Sequence, residues 1–370
     1  MPKNLLEIFF KFGFLVLLLS NIPDVYDSYF NQIKHGSLNG IKIFRILVLF
    51  ALQITLIFQA AVDWKKRFNN PGLSIIISRL LLLALPLFIL LLPNFYLFTR
   101  QFFGLILVMM AGSISLRFRS YRFFKWLFFL HFLLQIIQLL FLSNYQGLLF
   151  GTFNLRNTGI FLMPSTSAIF SILMLLLFDG INSLKPTDWI LFGLSVVLSA
   201  SGLGLILFLV YVTWKLRLDK IVLSLILLGI LPVFYYTLPI ILSRPSLYLS
   251  IMDRLENWND KISHIGLFPS DSSGKYTNAF ATLAKINGDL NWKSFIIDGD
   301  VMSIFLNLGF FLGLVFYWRL MRKAIIGKNG VVYFILLLAS LTVSILEMLW
   351  VPLVVILIIS IRNEREMAYR

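Results

Sequence analysis

The chain has 370 residues, of which 59% are hydrophobic and only 13% are charged. A soluble globular domain carries about 25% charged residues, so this composition excludes an ordinary soluble protein and indicates an integral membrane protein. There is no cysteine, which excludes disulfide bonds and thiolate chemistry. The formal net charge of +15 does not indicate a nucleic-acid partner, because the basic residues of a multi-pass membrane protein mark its cytoplasmic loops.

Apolar runs long enough to form membrane-spanning helices recur along the whole sequence. The first, at about 5–20, has no small-residue cleavage site, so we expect a retained helix rather than a removed signal peptide. The other segments are predicted at about 41–61, 73–92, 95–116, 126–143, 159–178, 189–200, 201–214, 221–242, 300–317, 331–345 and 349–361. The sequence therefore predicts an all-α polytopic membrane protein, a single domain over 1–370 with about 12 transmembrane segments.

The basic residues predict which loops face the cytoplasm. Placing every basic stretch inside gives one consistent threading, with both ends of the given chain in the cytoplasm. The basic stretches are residues 65–67, 117–125, 215–220, 319–328 and 362–370. The same threading places three loops outside, at 21–40, 144–158 and 243–299, and the last of them is one large extracytoplasmic loop with balanced charges.

Two pairs of predicted segments are too short for two full spans at about 1.5 Å per residue. Residues 189–214 contain LSASGLG at their midpoint, and these small residues favour a re-entrant hairpin buried within the protein. One long tilted helix is the alternative, and it would place 215–220 outside. The second pair, at about 331–361, is predicted to turn near Glu347 and Trp350.

Several arginines are predicted to face the extracytoplasmic side. Arg45 and Arg100 lie near the outer ends of their helices, where an arginine is either functional or extends its side chain to the head-group layer. The outer loops add Arg156, Arg244 and Arg254. Because a guanidinium binds phosphate in a bidentate manner and stays charged, a cluster of these arginines would suit a lipid-linked diphosphate.

Two carboxylates, Asp298 and Asp300, stand where the large loop re-enters the predicted membrane. Their spacing suits a divalent cation, a substrate hydroxyl or general-base chemistry, and it equally suits a polar turn that caps the next helix. His264 is the only histidine of the large loop and is either a surface residue or a proton acceptor. The sequence has no P-loop, dinucleotide fingerprint or zinc-ligand pattern, so we expect no cofactor and no metal.

Five stretches resemble motifs of one family, in that family's order. RNTGIFLMPSTSA resembles an R-x-x-G-x-F-x-x-P-[NS] element, and LSASGLGLILFL resembles a small serine-containing membrane turn. DRLENW and DGDVMSIFLNLGFFLGLVFY resemble the opening and closing elements of a large outer loop, and SLTVSILEMLWVPLV resembles a late acidic hairpin. The matching residues are Arg156, Gly159, Phe161, Pro164, Arg254, Trp258, Asp298, Gly309 and Gly313. Over about 145–360 the chain thus resembles the O-antigen polymerase and O-antigen ligase superfamily, although Gly202 stands where that family often has an arginine.

The resemblance implies a GT-C-like glycosyltransferase of the bacterial inner (cytoplasmic) membrane, with its active site facing the exterior. The implied donor is an undecaprenyl-diphosphate-linked oligosaccharide, and the implied product is O-antigen, capsule or exopolysaccharide. Arginines would neutralise the diphosphate leaving group without a metal, and Asp298, Asp300 or His264 would accept the proton of the acceptor hydroxyl. The lipid bilayer and a chain-length regulator membrane protein are the implied partners, and nucleic acid is not.

Alternatives remain within this superfamily and outside it. A ligase offers a histidine in the closing element of the large loop, whereas this chain offers Asp298, which favours a polymerase. A transporter or flippase of lipid-linked sugars predicts two related halves, which the sequence does not show. A non-catalytic membrane scaffold would not need converging outer arginines.

Overall fold

The computed structural model describes residues 3–26, 40–66, 95–113, 116, 121–141, 157–161, 163–181, 184–216, 256–269, 275–277, 280–281, 284, 287–289, 295, 299–327 and 329–368. Within these ranges the chain is helical and contains no β-strand, which confirms the all-α prediction for this part of the protein. The α-helices are α1 (Lys3–Tyr26), α2 (Gly40–Lys66), α3 (Phe95–Met110), α4 (Arg122–Phe141), α5 (Pro164–Gly180), α6 (Pro186–Leu198), α7 (Gly202–Lys215), α8 (Asp300–Ile326), α9 (Gly330–Thr342) and α10 (Trp350–Ala368).

These helices follow most of the predicted apolar segments, while the segments predicted at about 73–92 and 221–242 lie outside the described residues. Among the described helices, two, α4 and α8, are long and apolar enough to cross a membrane by length and composition. The helices α5, α6, α7 and α9 are also apolar, but they have 13 to 17 residues each. At about 1.5 Å per residue they are shorter than the ~30 Å hydrocarbon core of a bilayer.

Five helices meet at one end of the bundle through ion pairs. Lys125 near the start of α4 lies 3.3 Å from Asp188 at the start of α6. Asp179 near the end of α5 is paired with Lys215 at the end of α7, and its Oδ2 lies 3.1 Å from Nη2 of Arg362 in α10. A short link joins the end of α5 to the start of α6, so the two groups of ion-paired residues lie together at this end of the bundle.

The ends of three more helices lie at the same place. Lys323 near the end of α8 donates from Nζ to the carbonyl of Met109, at the end of α3, over 2.6 Å. Asn329, which precedes α9, donates from Nδ2 to Oδ1 of Asn363 in α10 over 3.1 Å. We call this the cationic end and the opposite one the far end. The cationic end is defined by Lys125, Lys215, Lys323 and Arg362.

Residues 186–215 form a helical hairpin, as the small residues at their midpoint predicted. The helices α6 and α7 are separated by a turn in which Ala200 has a positive φ of 48°. Ser201 caps α7, because its Oγ accepts a hydrogen bond from the backbone N–H of Gly204 over 3.2 Å. The alternative of one long tilted helix is therefore wrong. The connection 343–349, which contains Glu347, joins α9 to α10, and α10 begins at Trp350.

Several helix boundaries differ from the prediction, and one helix is broken. α5 begins at Pro164 rather than near 159, and α8 continues to Ile326 rather than ending near 317. Inside α8, Gly309 has φ 77° and ψ 170°, which interrupts the helical hydrogen bonds. The freed N–H of Phe310 donates to the carbonyl of Gly266 over 2.9 Å, so a segment of the large loop packs against the break.

The outer surfaces of α4 and α8 are lined with large apolar side chains. Trp126 is 71% exposed and Ile325 is 73% exposed. The exposed residues recur every three or four positions along one face, at Trp126, Phe129, Leu133, Ile137 and Leu140 in α4 and at Phe311, Leu314, Trp318, Met321 and Ile325 in α8. A helix on the surface of a soluble protein carries polar residues on that face.

Candidate functional site

The turn 157–161 contains all of the R-N-T-G-I-F element except Arg156. It is held against α4 by buried side chains. The amide of Gln138 bonds both polar groups of Gly159, accepting from its N–H over 2.8 Å and donating to its carbonyl over 2.9 Å. His131 accepts at Nδ1 from the N–H of Ile160 over 3.3 Å. Gly159 has φ +61°, and a Cβ there would lie 2.4 Å from His131 Nδ1. Glycine is therefore required by both backbone conformation and space.

Gln135, one turn from His131 on the same face of α4, extends this buried network. Its Nε2 donates to the carbonyls of Asn157 and Ser195 over 3.0 and 3.1 Å, and its Oε1 accepts from Ser195 Oγ over 2.6 Å. Ser195 Oγ also lies 2.8 Å from Ser171 Oγ. The network joins α4, α5, α6 and the turn, and it fixes the backbone directly after Arg156, which itself lies outside the described residues.

A cleft of about 230 Å³ opens at the far end, beside this turn. Phe161, Met163 and Thr166 line it on the side of α5. The other walls come from α1, α2 and the connection into α10, and they are Leu17, Asn21, Arg45, Ile46, Leu49, Met348, Leu349 and Trp350. Phe161 stacks on Trp350 with ring centroids 5.4 Å apart, which joins the two sides.

Arg45 is the charged residue among the described residues that line this cleft. Its Nη1 donates to Oδ1 of Asn21 over 2.5 Å and to Oγ of Ser20 over 3.2 Å. The Ser20 hydroxyl donates in turn to the carbonyl of Leu17 over 2.9 Å. These contacts with the second half of α1 fix the guanidinium at the wall of the cleft.

Asp300, at the first position of α8, is fully buried. Its Oδ1 accepts from Nε2 of Gln101 over 3.0 Å, and its Oδ2 accepts from the backbone N–H of Leu346 over 2.9 Å. Ser303 donates to Oε1 of Gln101 over 3.1 Å. The carboxylate thus joins α3 and α8 to the connection 343–349, whose last residues line the Arg45 cleft. Among the described residues, no group of three or more metal-ligating side chains occurs.

The large loop docks on the first turns of α8. Trp258, a motif residue, packs on Met302 and Leu306 together with Tyr276. The carbonyl of Tyr276 accepts from Ser303 Oγ over 2.7 Å. Partial burial raises the pKa of the Tyr276 side chain.

His264 lies in the same loop, on an exposed surface. Its Nδ1 is 2.9 Å from the carbonyl of Asp260, one turn earlier. It is not among the described residues that line the Arg45 cleft.

Of the predicted site residues, Arg45, His264 and Asp300 have described side chains, and Arg100 is placed in α3 by its backbone. The others, Arg156, Arg244, Arg254 and Asp298, lie outside the described residues. Sequence reasoning missed the buried amides Gln101, Gln135 and Gln138. The available signal was an amide side chain within a long apolar run, which needs a partner once buried.

Comparisons of this chain with protein-family models, with curated proteins and with solved structures return no match.

Proposed function

We propose that this protein is a membrane glycosyltransferase that polymerises undecaprenyl-diphosphate-linked oligosaccharide repeat units into a surface polysaccharide. The observation that carries the proposal is the shared cleft. Arg45, from a helix outside the family-like region, lines one cavity with Phe161 and Met163 of the R-N-T-G-I-F-L-M-P-S element. The R-N-T-G-I-F-L-M-P-S element therefore lies beside Arg45, and arginine is a type of side chain that binds phosphate.

Placing the bundle in a bilayer explains the apolar faces of its helices and the basic residues at one end. The apolar faces of α4 and α8 suit lipid chains, and the basic residues gather at one end, as positive-inside topology requires. We place the cationic end in the cytoplasm and the far end at the exterior face of the bacterial inner membrane. The whole chain is then a GT-C-like domain with about 12 spans and a large extracytoplasmic loop at 243–299.

The proposed reaction begins with the acceptor hydroxyl attacking the anomeric carbon of the lipid-linked glycan. The bond from that carbon to the diphosphate oxygen breaks, and its electron pair leaves with the polyprenyl diphosphate. Arg45 and Arg156 stabilise the charge that develops there; a single well-placed donor of this kind contributes about 10²–10³-fold in rate. Arg100, Arg244 and Arg254 complete the proposed phosphate-binding set.

The proton of the acceptor hydroxyl goes to Asp298 or His264 in this proposal. Both oxygens of Asp300 are hydrogen-bonded inside the protein, so we assign Asp300 a positioning role. It holds the connection 343–349 and thereby the wall that faces Arg45. Polymerisation then requires two lipid-linked substrates to meet at the far end, where their orientation supplies much of the rate.

The test uses the full chain in liposomes with a lipid-linked repeat unit as donor and acceptor. The proposal expects a ladder of glycan lengths and release of undecaprenyl diphosphate, and Arg45→Ala should reduce both about 100-fold or more. Arg322→Ala, which removes a charge at the cationic end, is the matched control. Intact ladders in the Arg45→Ala protein would refute the site. Glycan moved across the bilayer without lengthening indicates a transporter, and transfer only to a final acceptor indicates a ligase.

A further inference from the structure

The large loop contacts α8 at more than one level along the helix. Trp258 and Tyr276, which stand before and after residues 266–268 in the loop, pack on Met302 and Leu306 in the first turns of the helix. Residues 266–268 lie further along α8, at the break in the helix. The loop therefore extends along α8 as far as the break and comes back, and we call residues 266–268 its tip.

The backbone of the tip packs directly against the break. The N–H of Phe310 donates to the carbonyl of Gly266 over 2.9 Å, and the next N–H of α8 donates to the carbonyl of Leu267 over 3.3 Å. A Cβ at Gly309 would lie 2.6 Å from a backbone carbon of the tip, so the two chains meet backbone to backbone. A membrane tolerates non-helical backbone only where protein covers its polar groups. Here the tip and the break satisfy each other.

The side chains of the tip face outward. Leu267 is 62% exposed and Phe268 is 64% exposed. The ring of Phe268 lies 5.4 Å from the ring of Phe311, measured between centroids. Phe311 belongs to the exposed apolar face of α8, which continues through Leu314 and Trp318. The tip thus extends that face as one continuous apolar surface.

The charges of α8 indicate how deep the tip lies. Residues 301–318, between Asp300 and Arg319, contain no charged side chain. At about 1.5 Å per residue this run is about 27 Å long, close to the ~30 Å of the hydrocarbon core of a bilayer. Gly309 lies at the middle of the run. A segment that packs on Gly309 from the far end therefore lies within the hydrocarbon and not above it.

We propose that the large loop is re-entrant at its tip: residues 266–268 dip into the outer half of the bilayer, where Leu267 and Phe268 contact acyl chains. The occupant of this apolar surface is lipid, because the surface continues the apolar face of α8 that the bilayer covers. The loop is thereby held at a fixed depth beside the helix. The inference rests on the membrane placement proposed above and not on the glycosyltransferase activity.

The experiment measures the depth of the tip by spin labelling of the full chain in phosphatidylcholine liposomes. The protein contains no cysteine, so each introduced cysteine gives one labelled position. Labels at Leu267→Cys and Phe268→Cys should collide severalfold more often with oxygen than with a water-soluble nickel chelate, as should the lipid-facing reference Leu314→Cys. Asn259→Cys, at an exposed polar residue of the same loop, is the matched control and should favour the nickel chelate.

A membrane-impermeant maleimide gives an independent measure on the unlabelled cysteine variants. Asn259→Cys should react in liposomes, whereas reaction of Leu267→Cys should be lost until the protein is denatured in detergent. If Leu267→Cys reacts and its label favours nickel while Leu314→Cys favours oxygen, the tip stands in water and the proposal is wrong, although the membrane placement survives.

Two further outcomes would also overturn the proposal. If the label at Leu314→Cys favours nickel as well, the membrane placement fails together with the re-entrant loop. Spin–spin broadening between tip labels that disappears on dilution with unlabelled protein would assign the apolar surface to a second copy of the chain instead of lipid. None of these readouts requires a glycan substrate, so failure of the proposed activity and failure of this inference are distinguishable.

Discussion

Gln138 and Gly159 form an amide pair with two hydrogen bonds, of 2.8 and 2.9 Å, in the buried interior. The Gln138 side-chain amide thus pairs with the backbone of Gly159 as one β-strand pairs with its neighbour. It satisfies the N–H and the carbonyl of Gly159, which lie in a turn outside any helix. The position of the R-N-T-G-I-F element at the far end consequently depends on Gln138 of α4.

Gln138→Leu is expected to destabilise the protein by about 2–4 kcal/mol. The substitution keeps a side chain of similar size but leaves the N–H and carbonyl of Gly159 buried without this partner. Each such group costs about 1–3 kcal/mol. Chemical or thermal unfolding in detergent measures the change. Leu140→Ala, on the exposed face of the same helix, should change stability by less than about 0.5 kcal/mol. Equal stabilities of the two variants would contradict the pairing.

Gly159→Ala is expected to destabilise more than an ordinary glycine replacement. The left-handed backbone costs an alanine about 1–2 kcal/mol, and the new Cβ would also lie 2.4 Å from His131 Nδ1. Gly202→Ala is the matched control, because a Cβ at that helix start meets nothing within 4 Å. If His131→Ala is added to Gly159→Ala, part of the loss should be recovered in a double-mutant cycle. Strict additivity would show that the imidazole is not the obstacle.

Asp300→Ala is expected to lower both the stability and the proposed polymerisation activity, because Leu346 and Gln101 lose their shared acceptor. Asp300→Asn keeps one oxygen that can accept from the Leu346 N–H, so it should retain more of both quantities than the alanine variant. Unfolding curves and initial rates on the same preparations provide the comparison. An asparagine variant that is as stable as the parent protein yet inactive would instead assign Asp300 a direct proton-transfer role.

The two cations on Asp179 are expected to differ in their effect on stability. Lys215 is 40% exposed, and an ion pair of that kind contributes about 0–1 kcal/mol. Arg362 is 12% exposed and also lies over the ring of Trp214, at 5.1 Å from its centroid. Arg362→Met should therefore destabilise more than Lys215→Met in unfolding experiments. The reverse order would show that the arginine contacts contribute little.

The helical hairpin at 186–215 could be predicted because its cause is local: LSASGLG supplies a serine cap and small residues at the turn. The break at Gly309 could not be predicted, since the apolar run continues through it and the compensating carbonyls come from Gly266 and Leu267. The partners of Gln135 were equally hidden, because they lie 22 to 60 residues away. Local sequence patterns identify the helices, whereas the partners of buried amides and the positions of helix breaks depend on residues far away in the chain.

The α6–α7 hairpin carries a consequence for the order in which the protein is assembled during translation. The buried hydroxyl of Ser195 bonds Gln135 and Ser171, and both precede it in the chain. When the ribosome has delivered the hairpin, its polar partners are already in place. A circular permutation that moved α4 and α5 behind α7 would leave Ser195 without Gln135 and Ser171 until those helices had been synthesised, although every native contact would still be encoded.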